Sequence, residues 1–199
     1  IGDDGEPTVL NEQEIDGFML LMAVAGNETT RNATSHGLWA LIEHPDQFDL
    51  LKSDTEGLID TAVDEIVRFA SPVLHFRRTA TQDTEINGQK IKAGEKVVMW
   101  HVSANRDDSE FENPFSLDVQ RSPNNHVGFG GGGPHFCLGA NLAKLELKII
   151  FEELCRRMPD VSLDGQPSRL RSNFINGVKH MPISFTPGDK VNPEPNFDN

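Results

Sequence analysis

The segment Phe-Gly-Gly-Gly-Gly-Pro-His-Phe-Cys-Leu-Gly, residues 129–139, is the most informative part of the chain. Together with Gly128 it places five glycines within six positions, which lets the backbone approach a flat or bulky ligand closely. Cys137 stands just before a predicted helix, whose N-terminal dipole and free N–H groups favour a thiolate. Such a thiolate is a soft metal ligand or a nucleophile, and the simpler alternative is a small buried hydrophobic side chain.

Other patterns overlap this segment. Three glycines within residues 128–133 match the spacing of a dinucleotide-binding loop, but no strand precedes them, so we regard the match as accidental. Zinc ligation by Cys137, His135 and His126 lacks the second cysteine at short spacing that completes a structural zinc site. A cysteine hydrolase that uses Cys137 and His135 is a more remote alternative.

Upstream, the apolar spacing predicts one helix over about residues 12–44, with Asn11 and Glu14 as a capping pair at its start. Its centre carries the polar run Ala-Gly-Asn-Glu-Thr-Thr, residues 25–30, between apolar flanks, a local contradiction that often marks a site. The helix would be roughly 50 Å long, whereas a compact globule of this chain length has a diameter of about 42 Å. We expect either a break near Gly26 or, as we favour, a chain that is part of a larger protein.

The remaining patterns predict a mainly α-helical fold with small antiparallel β-sheets, and turns at Asn87-Gly88 and Ala93-Gly94 separate the strands. The sequence has no internal repeats. The predicted elements are helices at about 55–70 and 139–157, strands at 76–81 and 96–102, an irregular loop at 103–127, short strands within 161–185 and a flexible tail at 187–199.

Composition limits the classes of function. The chain carries 18 basic and 31 acidic side chains, and its formal net charge of −13 repels polyanions and argues against nucleic-acid binding. No apolar run approaches the roughly 18 residues of a transmembrane helix, so no transmembrane segment is expected. The two cysteines, Cys137 and Cys155, are too few for a disulfide framework and favour a reducing, cytoplasmic location.

Residues 129–139 resemble the cysteine loop of cytochrome P450, with one residue more between Phe129 and Cys137 than the common family spacing. The resemblance implies haem b as the cofactor and Cys137 as the axial ligand of its iron, on a loop bounded by Phe129 and Gly139. His135 lies where the family usually places a side chain that pairs with a haem propionate.

The polar run at residues 25–30 resembles the distal-helix motif of the same family. The resemblance implies that Gly26 leaves room for a ligand beside the helix. Glu28 and Thr29 resemble the acid–alcohol pair that delivers protons during oxygen activation, and they are the predicted catalytic residues.

Two further resemblances concern charged residues. Glu65-Ile-Val-Arg68 resembles the family's buried E-x-x-R pair, which an arginine further along, here Arg121, completes as a structural network. Taken alone, an acid and a base at this spacing commonly form only a weak surface pair. Arg78 aligns best with the family's propionate-binding arginine, and Arg77 is its close competitor; a guanidinium suits a carboxylate because of its bidentate fork.

The resemblance implies that residues 1–199 are the C-terminal half of a cytochrome P450, from the distal helix onward. The expected function is insertion of one oxygen atom of O2 into a C–H bond of a lipophilic substrate, with electrons from NAD(P)H through a ferredoxin reductase and a ferredoxin. Residues 128–143 and 169–185 look like those of mycobacterial-type members that hydroxylate sterol side chains or methyl-branched lipids. The alternative is a non-catalytic haem-binding or regulatory fragment.

Overall fold

The computed structural model describes residues 9–188, which are mainly helical with small antiparallel sheets, as the sequence pattern predicts. The helices are α1 (Glu12–Glu43), α2 (Pro45–Ser53), α3 (Thr55–Ala70), α4 (His101–Ala104) and α5 (Ala140–Arg157). The strands are β1 (His75–Thr79), β2 (Thr84–Ile86), β3 (Gln89–Ile91), β4 (Lys96–Trp100), β5 (Ser162–Leu163), β6 (Ser168–Arg169), β7 (Val178–His180) and β8 (Ile183–Ser184). They pair as antiparallel ladders β1–β4, β2–β3, β5–β8 and β6–β7.

Helix α1 is continuous, so the expected alternative of a break near Gly26 is wrong. Its start is a capping box: the Asn11 side chain accepts from the Glu14 N–H at 3.0 Å, and the Asn11 N–H donates to the Glu14 carboxylate at 2.8 Å. Because both end groups are satisfied reciprocally, the helix begins where the sequence predicts.

The C-terminal half of α1 is buried against α3 and α5. A Cβ at Gly37 would stand 2.6 Å from both Ile66 Cγ2 and Phe151 Cζ, so only glycine allows the three helices to approach this closely. Leu41, Ile59, Leu147 and Phe151 share the resulting core. In contrast, residues 12–28 of the same helix are exposed. Their large apolar side chains in solvent are Ile15, Phe18, Met19, Leu20, Leu21, Met22 and Val24.

Two helices were not anticipated. Pro45 follows directly after the predicted first helix, and it occupies the first turn of α2, where its missing N–H costs nothing. The strand predicted at 96–102 ends at Trp100, and α4 follows because the Asn105 N–H bonds the His101 carbonyl at 2.8 Å. The strand predicted at 76–81 is β1, one residue earlier at its start and two earlier at its end.

The β2–β3 hairpin turns at Asn87-Gly88, and α5 begins directly after Gly139, both close to the predicted positions. The predicted tail at 187–199 lies outside the described residues, apart from 187 and 188. Over the part of the chain described here, each helix is too short or too polar to cross a membrane.

Candidate functional site

The Cys137 thiol is exposed, just before the N-terminal end of α5. Its backbone N–H donates to the Phe129 carbonyl at 2.9 Å, and its own carbonyl accepts from the Ala140 N–H at 3.2 Å. Phe129 packs against the hydrophobic core and so anchors the loop, whereas the Cys137 sulfur remains exposed to solvent. A buried hydrophobic role is therefore wrong for Cys137. Cys155 has that position instead, and burial raises the pKa of its thiol.

The glycines shape an open surface beside this thiol. Gly130, Gly132 and Gly133 have φ angles of 97°, 95° and 75°, a region that other residues rarely adopt. A Cβ at Gly131, Gly132 or Gly133 would meet no atom within 4 Å, and the same holds for Gly26 in the middle of α1. The backbone at these positions is thus free to approach a flat group.

Glu28 and Thr29 lie side by side at the junction between the exposed and buried halves of α1. The Thr29 hydroxyl donates to the Ala25 carbonyl at 2.7 Å, which leaves its lone pairs available as acceptors. The Glu28 carboxylate accepts from Arg31 at 2.8 Å and from the Asn32 side chain at 3.2 Å. The hydrogen bond from Arg31 lowers the pKa of the Glu28 carboxyl.

Arg77 and Arg78 are both exposed on β1 and project to opposite sides of the ladder, because successive residues of a strand alternate. Arg78 shares its side with Phe76, whose ring lies 5.6 Å from that of His101. Burial, together with the charges of His75 and Arg78, lowers the pKa of His101. Among the described residues, Arg78 itself donates only to the Arg77 carbonyl, at 3.1 Å.

Glu65 and Arg68 form a buried pair, each with 0% of its side chain exposed. The two nitrogens Nε and Nη2 of Arg68 each donate to a different Glu65 oxygen at 2.7 Å. The same carboxylate accepts from Arg121 Nε at 3.0 Å, from the Asn124 side chain at 3.1 Å and from the Asp118 N–H at 3.0 Å. Five donors therefore converge on one buried carboxylate.

The remaining donors of Arg68 hold the segment that follows α4. Its Nη1 donates to the carbonyls of Asn105 at 2.7 Å and Pro114 at 2.8 Å, and its Nη2 also reaches the Ser116 carbonyl at 3.1 Å. The segment predicted as an irregular loop is thus wrapped around one guanidinium. Such multiple pairing is what a buried charge requires.

The predicted site residues on α1, on β1 and on the cysteine loop are not joined to one another by hydrogen bonds or ion pairs within the described residues. Within residues 9–188, no hydrogen bond or ion pair joins Cys137, His135, Arg78 and Thr29, and the thiol makes none to His135, as a cysteine hydrolase would require. Nor do three potential metal-ligating side chains gather anywhere in that range, which leaves the zinc alternative without support.

Comparison with known proteins identifies the class. A family model for cytochrome P450 matches residues 57–166, and the chain belongs to the cytochrome P450 family. The methyl-branched lipid omega-hydroxylase of Mycobacterium tuberculosis is 55% identical over 92% of this chain and 42% of its own length. The steroid C26-monooxygenase of Rhodococcus jostii is 50% identical, over 89% of this chain and 39% of its own.

The fold is shared with solved members of the family. A Mycobacterium marinum cytochrome P450 in complex with pseudoionone superposes with a TM-score of 0.85 at 50% identity, over 88% of this chain and 42% of that chain. The chain therefore spans less than half the length of the curated relatives and structures that it matches.

Haem is the cofactor of this family, and the residues present fit it. The thiol of Cys137 is exposed, and the glycine surface beside it would accept a planar ring.

The sequence does not indicate two asparagines that support this site, the buried Asn105 and the half-buried Asn124. Asn124 completes the shell of Glu65, and Asn105 is 0% exposed with every hydrogen-bonding group used. Both lie in the 103–127 segment, which has no hydrophobic periodicity. An asparagine in such a segment normally indicates a turn, so no signal in the sequence distinguishes these two.

Proposed function

We propose that the protein is a P450 monooxygenase that hydroxylates the methyl-bearing end of a methyl-branched lipid or of a sterol side chain. The single observation that carries this proposal is the 55% identity to a methyl-branched lipid omega-hydroxylase over 92% of the chain. The 50% identity to a steroid C26-monooxygenase supports the sterol alternative. Both names describe oxidation at one defined carbon of a lipophilic molecule.

Cys137 would hold the haem iron, while Arg78 and His135 would hold the propionates. When bound, haem supplies the activation of O2 and the oxidation of the substrate C–H bond. Cys137 is suited to its part because the hydrogen bond from its N–H to Phe129 fixes the backbone while the sulfur stays exposed.

Glu28 and Thr29 would carry protons to the reaction. Thr29 can pass on a proton at Oγ1 because this hydroxyl is oriented by Ala25 and keeps acceptor capacity. Glu28 is held as a carboxylate by Arg31, so it must leave that partner before it takes up a proton.

Aromatic rings beside Arg78 support a lipophilic substrate. Phe76 and Phe174 lie 5.8 Å apart edge to face, and His75 lies 4.6 Å from Trp100. Phe76, Phe174 and Trp100 remain more than 40% exposed. Exposed rings clustered in this way form a surface that an apolar chain or a sterol would cover.

The proposed reaction takes two electrons from NAD(P)H through a ferredoxin reductase and a ferredoxin, as is usual for bacterial members of the family. We place it in the cytoplasm, because both cysteines are free thiols and one of them must stay reduced for the chemistry. The alternative of a non-catalytic fragment is supported for residues 1–199 alone, since half of α1 exposes its apolar side chains.

The full-length protein tests the proposal when it is supplied with NAD(P)H, ferredoxin and reductase. A methyl-branched fatty acid, a sterol with an intact side chain and an unbranched fatty acid are offered separately, and products are identified by mass spectrometry. We expect terminal hydroxylation of the branched lipid with the highest kcat/KM. Hydroxylation of the sterol ring, or oxidation of the unbranched acid alone, would contradict the substrate class. Reduction of the protein by ferredoxin without any hydroxylated product would support the non-catalytic alternative.

A further inference from the structure

We propose that Asn105 is a positioning residue that fixes the cysteine loop, and through it Cys137, to the buried Glu65–Arg68 pair. Asn105 lies directly after α4 and is 0% exposed. Its carbonyl accepts from Arg68 Nη1 at 2.7 Å, and its side-chain oxygen accepts from the Val127 N–H at 2.8 Å. One residue therefore connects the charged network to the segment that leads into the loop. The proposal rests on the assignment of Cys137 made above.

The orientation of the Asn105 amide is determined by its two partners. The Val127 N–H can only donate, so the oxygen end of the amide must face it. The nitrogen end then donates to Ser71 Oγ at 2.9 Å, and the Ser71 hydroxyl in turn donates to the Arg68 carbonyl at 2.8 Å. Ser71 ends α3 with a φ of 41°, a conformation that is uncommon outside glycine. The amide is thus locked at both ends.

A short path leads from this amide to the cysteine. The Val127 carbonyl accepts from the Gly130 N–H at 2.9 Å, and the Phe129 carbonyl accepts from the Cys137 N–H at 2.9 Å. The same segment is pressed against α3, because a Cβ at Gly128 would stand 2.5 Å from a methyl group of Val67. Loss of the hydrogen bond from the Val127 N–H to Asn105 would therefore loosen residues 127–130, which hold the Cys137 backbone.

A purely structural role for Asn105 makes a different prediction. If the residue only filled space, its loss would lower the stability of the whole protein and speed amide exchange everywhere alike. If it positions the loop, its loss acts first on the Val127 amide and on the bond between Cys137 and iron. The ratio of Val127 exchange to that of a core amide, such as Phe151 in α5, separates the two.

The haem-loaded full-length protein is compared with three variants and a control. Asn105→Leu replaces the amide with an apolar side chain of similar size, so both the acceptor for the Val127 N–H and the donor to Ser71 are lost. Asn105→Asp keeps an acceptor for Val127, while the Ser71 hydroxyl can turn its proton to the second oxygen. Ser71→Gly removes the orienting oxygen in a conformation that glycine adopts freely. Asn125→Ala, which loses only an exposed bond to Glu110, is the control.

We expect Asn105→Leu to exchange the Val127 amide about tenfold faster relative to Phe151, as the loss of one buried hydrogen bond predicts. Most of its thiolate-type band in the reduced carbon monoxide spectrum should become thiol-type. Asn105→Asp and the control should keep both properties, and Ser71→Gly should lie between. A wild-type band and exchange ratio in Asn105→Leu would overturn the proposal.

If Asn105→Leu gives no haem-loaded protein, Ser71→Gly decides, and a wild-type Val127 ratio in that variant overturns the proposal. A wild-type protein without any thiolate-type band would instead overturn the assignment of Cys137. The exchange of Val127 would still test Asn105 in that case, so the two failures are distinguishable.

Discussion

The substitution Glu65→Gln should disrupt the hydrogen-bond network of Glu65 and Arg68 that holds residues 105–124 in place. Five N–H donors converge on the Glu65 carboxylate, three of them from the guanidinium groups of Arg68 and Arg121. The amide of glutamine has only one oxygen that can accept from these donors. Its NH2 group would face the remaining donors without forming a hydrogen bond. Arg68 would then be a buried cation without its counter-charge, which costs about 3–5 kcal/mol. Since domains are stable by only about 5–15 kcal/mol, this is a large share.

The assay is the urea midpoint and the haem-loaded yield of the full-length protein. Glu153→Gln is the matched control, because Glu153 and Arg156 have the same i, i+3 spacing on α5 but are exposed. We expect Glu65→Gln to lose most of the haem-loaded protein and Glu153→Gln to keep the wild-type midpoint. Arg68→Lys should fail like Glu65→Gln. A stable, haem-loaded Glu65→Gln protein with only slower turnover would refute the structural role of the pair.

Three further predictions concern other parts of the chain. In the full-length enzyme, Thr29→Ala should lower the product formed per NAD(P)H consumed and raise peroxide release. Thr34→Ala is the control, because the Thr34 hydroxyl also donates to a backbone carbonyl, and it should change neither quantity. An equal yield of product per NAD(P)H in both variants would contradict the role of Thr29. Burial and the nearby charge of Arg169 lower the pKa of His36 to about 4. Between pH 6.5 and 4, His36 is therefore protonated in the unfolded state, where its pKa is about 6.5, but neutral in the folded state. Stability should fall by about 3 kcal/mol as the pH drops from 6.5 to 4, and His36→Gln should remove this dependence in urea titrations; identical pH profiles would contradict it. Residues 1–199 expressed alone should aggregate and bind haem weakly because the apolar half of α1 is uncovered, and a monomeric, cooperatively melting, haem-loaded and active product would contradict this.

Local signals in the sequence were sufficient for the main helices. The capping pair Asn11 and Glu14, the apolar spacing and the glycine before α5 each act within one or two turns, so they can be recognised without the fold. Pro45 shows the limit of such signals, because proline ends one helix and begins the next equally well. A helix as long as α1 exceeds the diameter expected of a compact globule of this chain length, and the matched relatives are more than twice as long as the aligned chain.

Long-range contacts at the site could not be derived from local pattern. The spacing of Glu65 and Arg68 indicates only a shared helix face, and burial arises when residues more than thirty positions later wrap around the pair. Asn105 and Asn124 act through such contacts and have no periodic signature. Family resemblance indicated Arg121 as a partner of Glu65, but it gave no indication of either asparagine.

The central claim is that Cys137 is the thiolate ligand of haem iron. The most direct measurement is the reduced carbon monoxide difference spectrum of the full-length protein and of its two cysteine variants. Cys137→Ala should abolish the thiolate-type band, whereas Cys155→Ala should keep it, because the Cys155 thiol is buried in the core and remote from the loop in sequence. A thiolate-type band that survives in Cys137→Ala, or that is lost equally in both variants, would contradict the account.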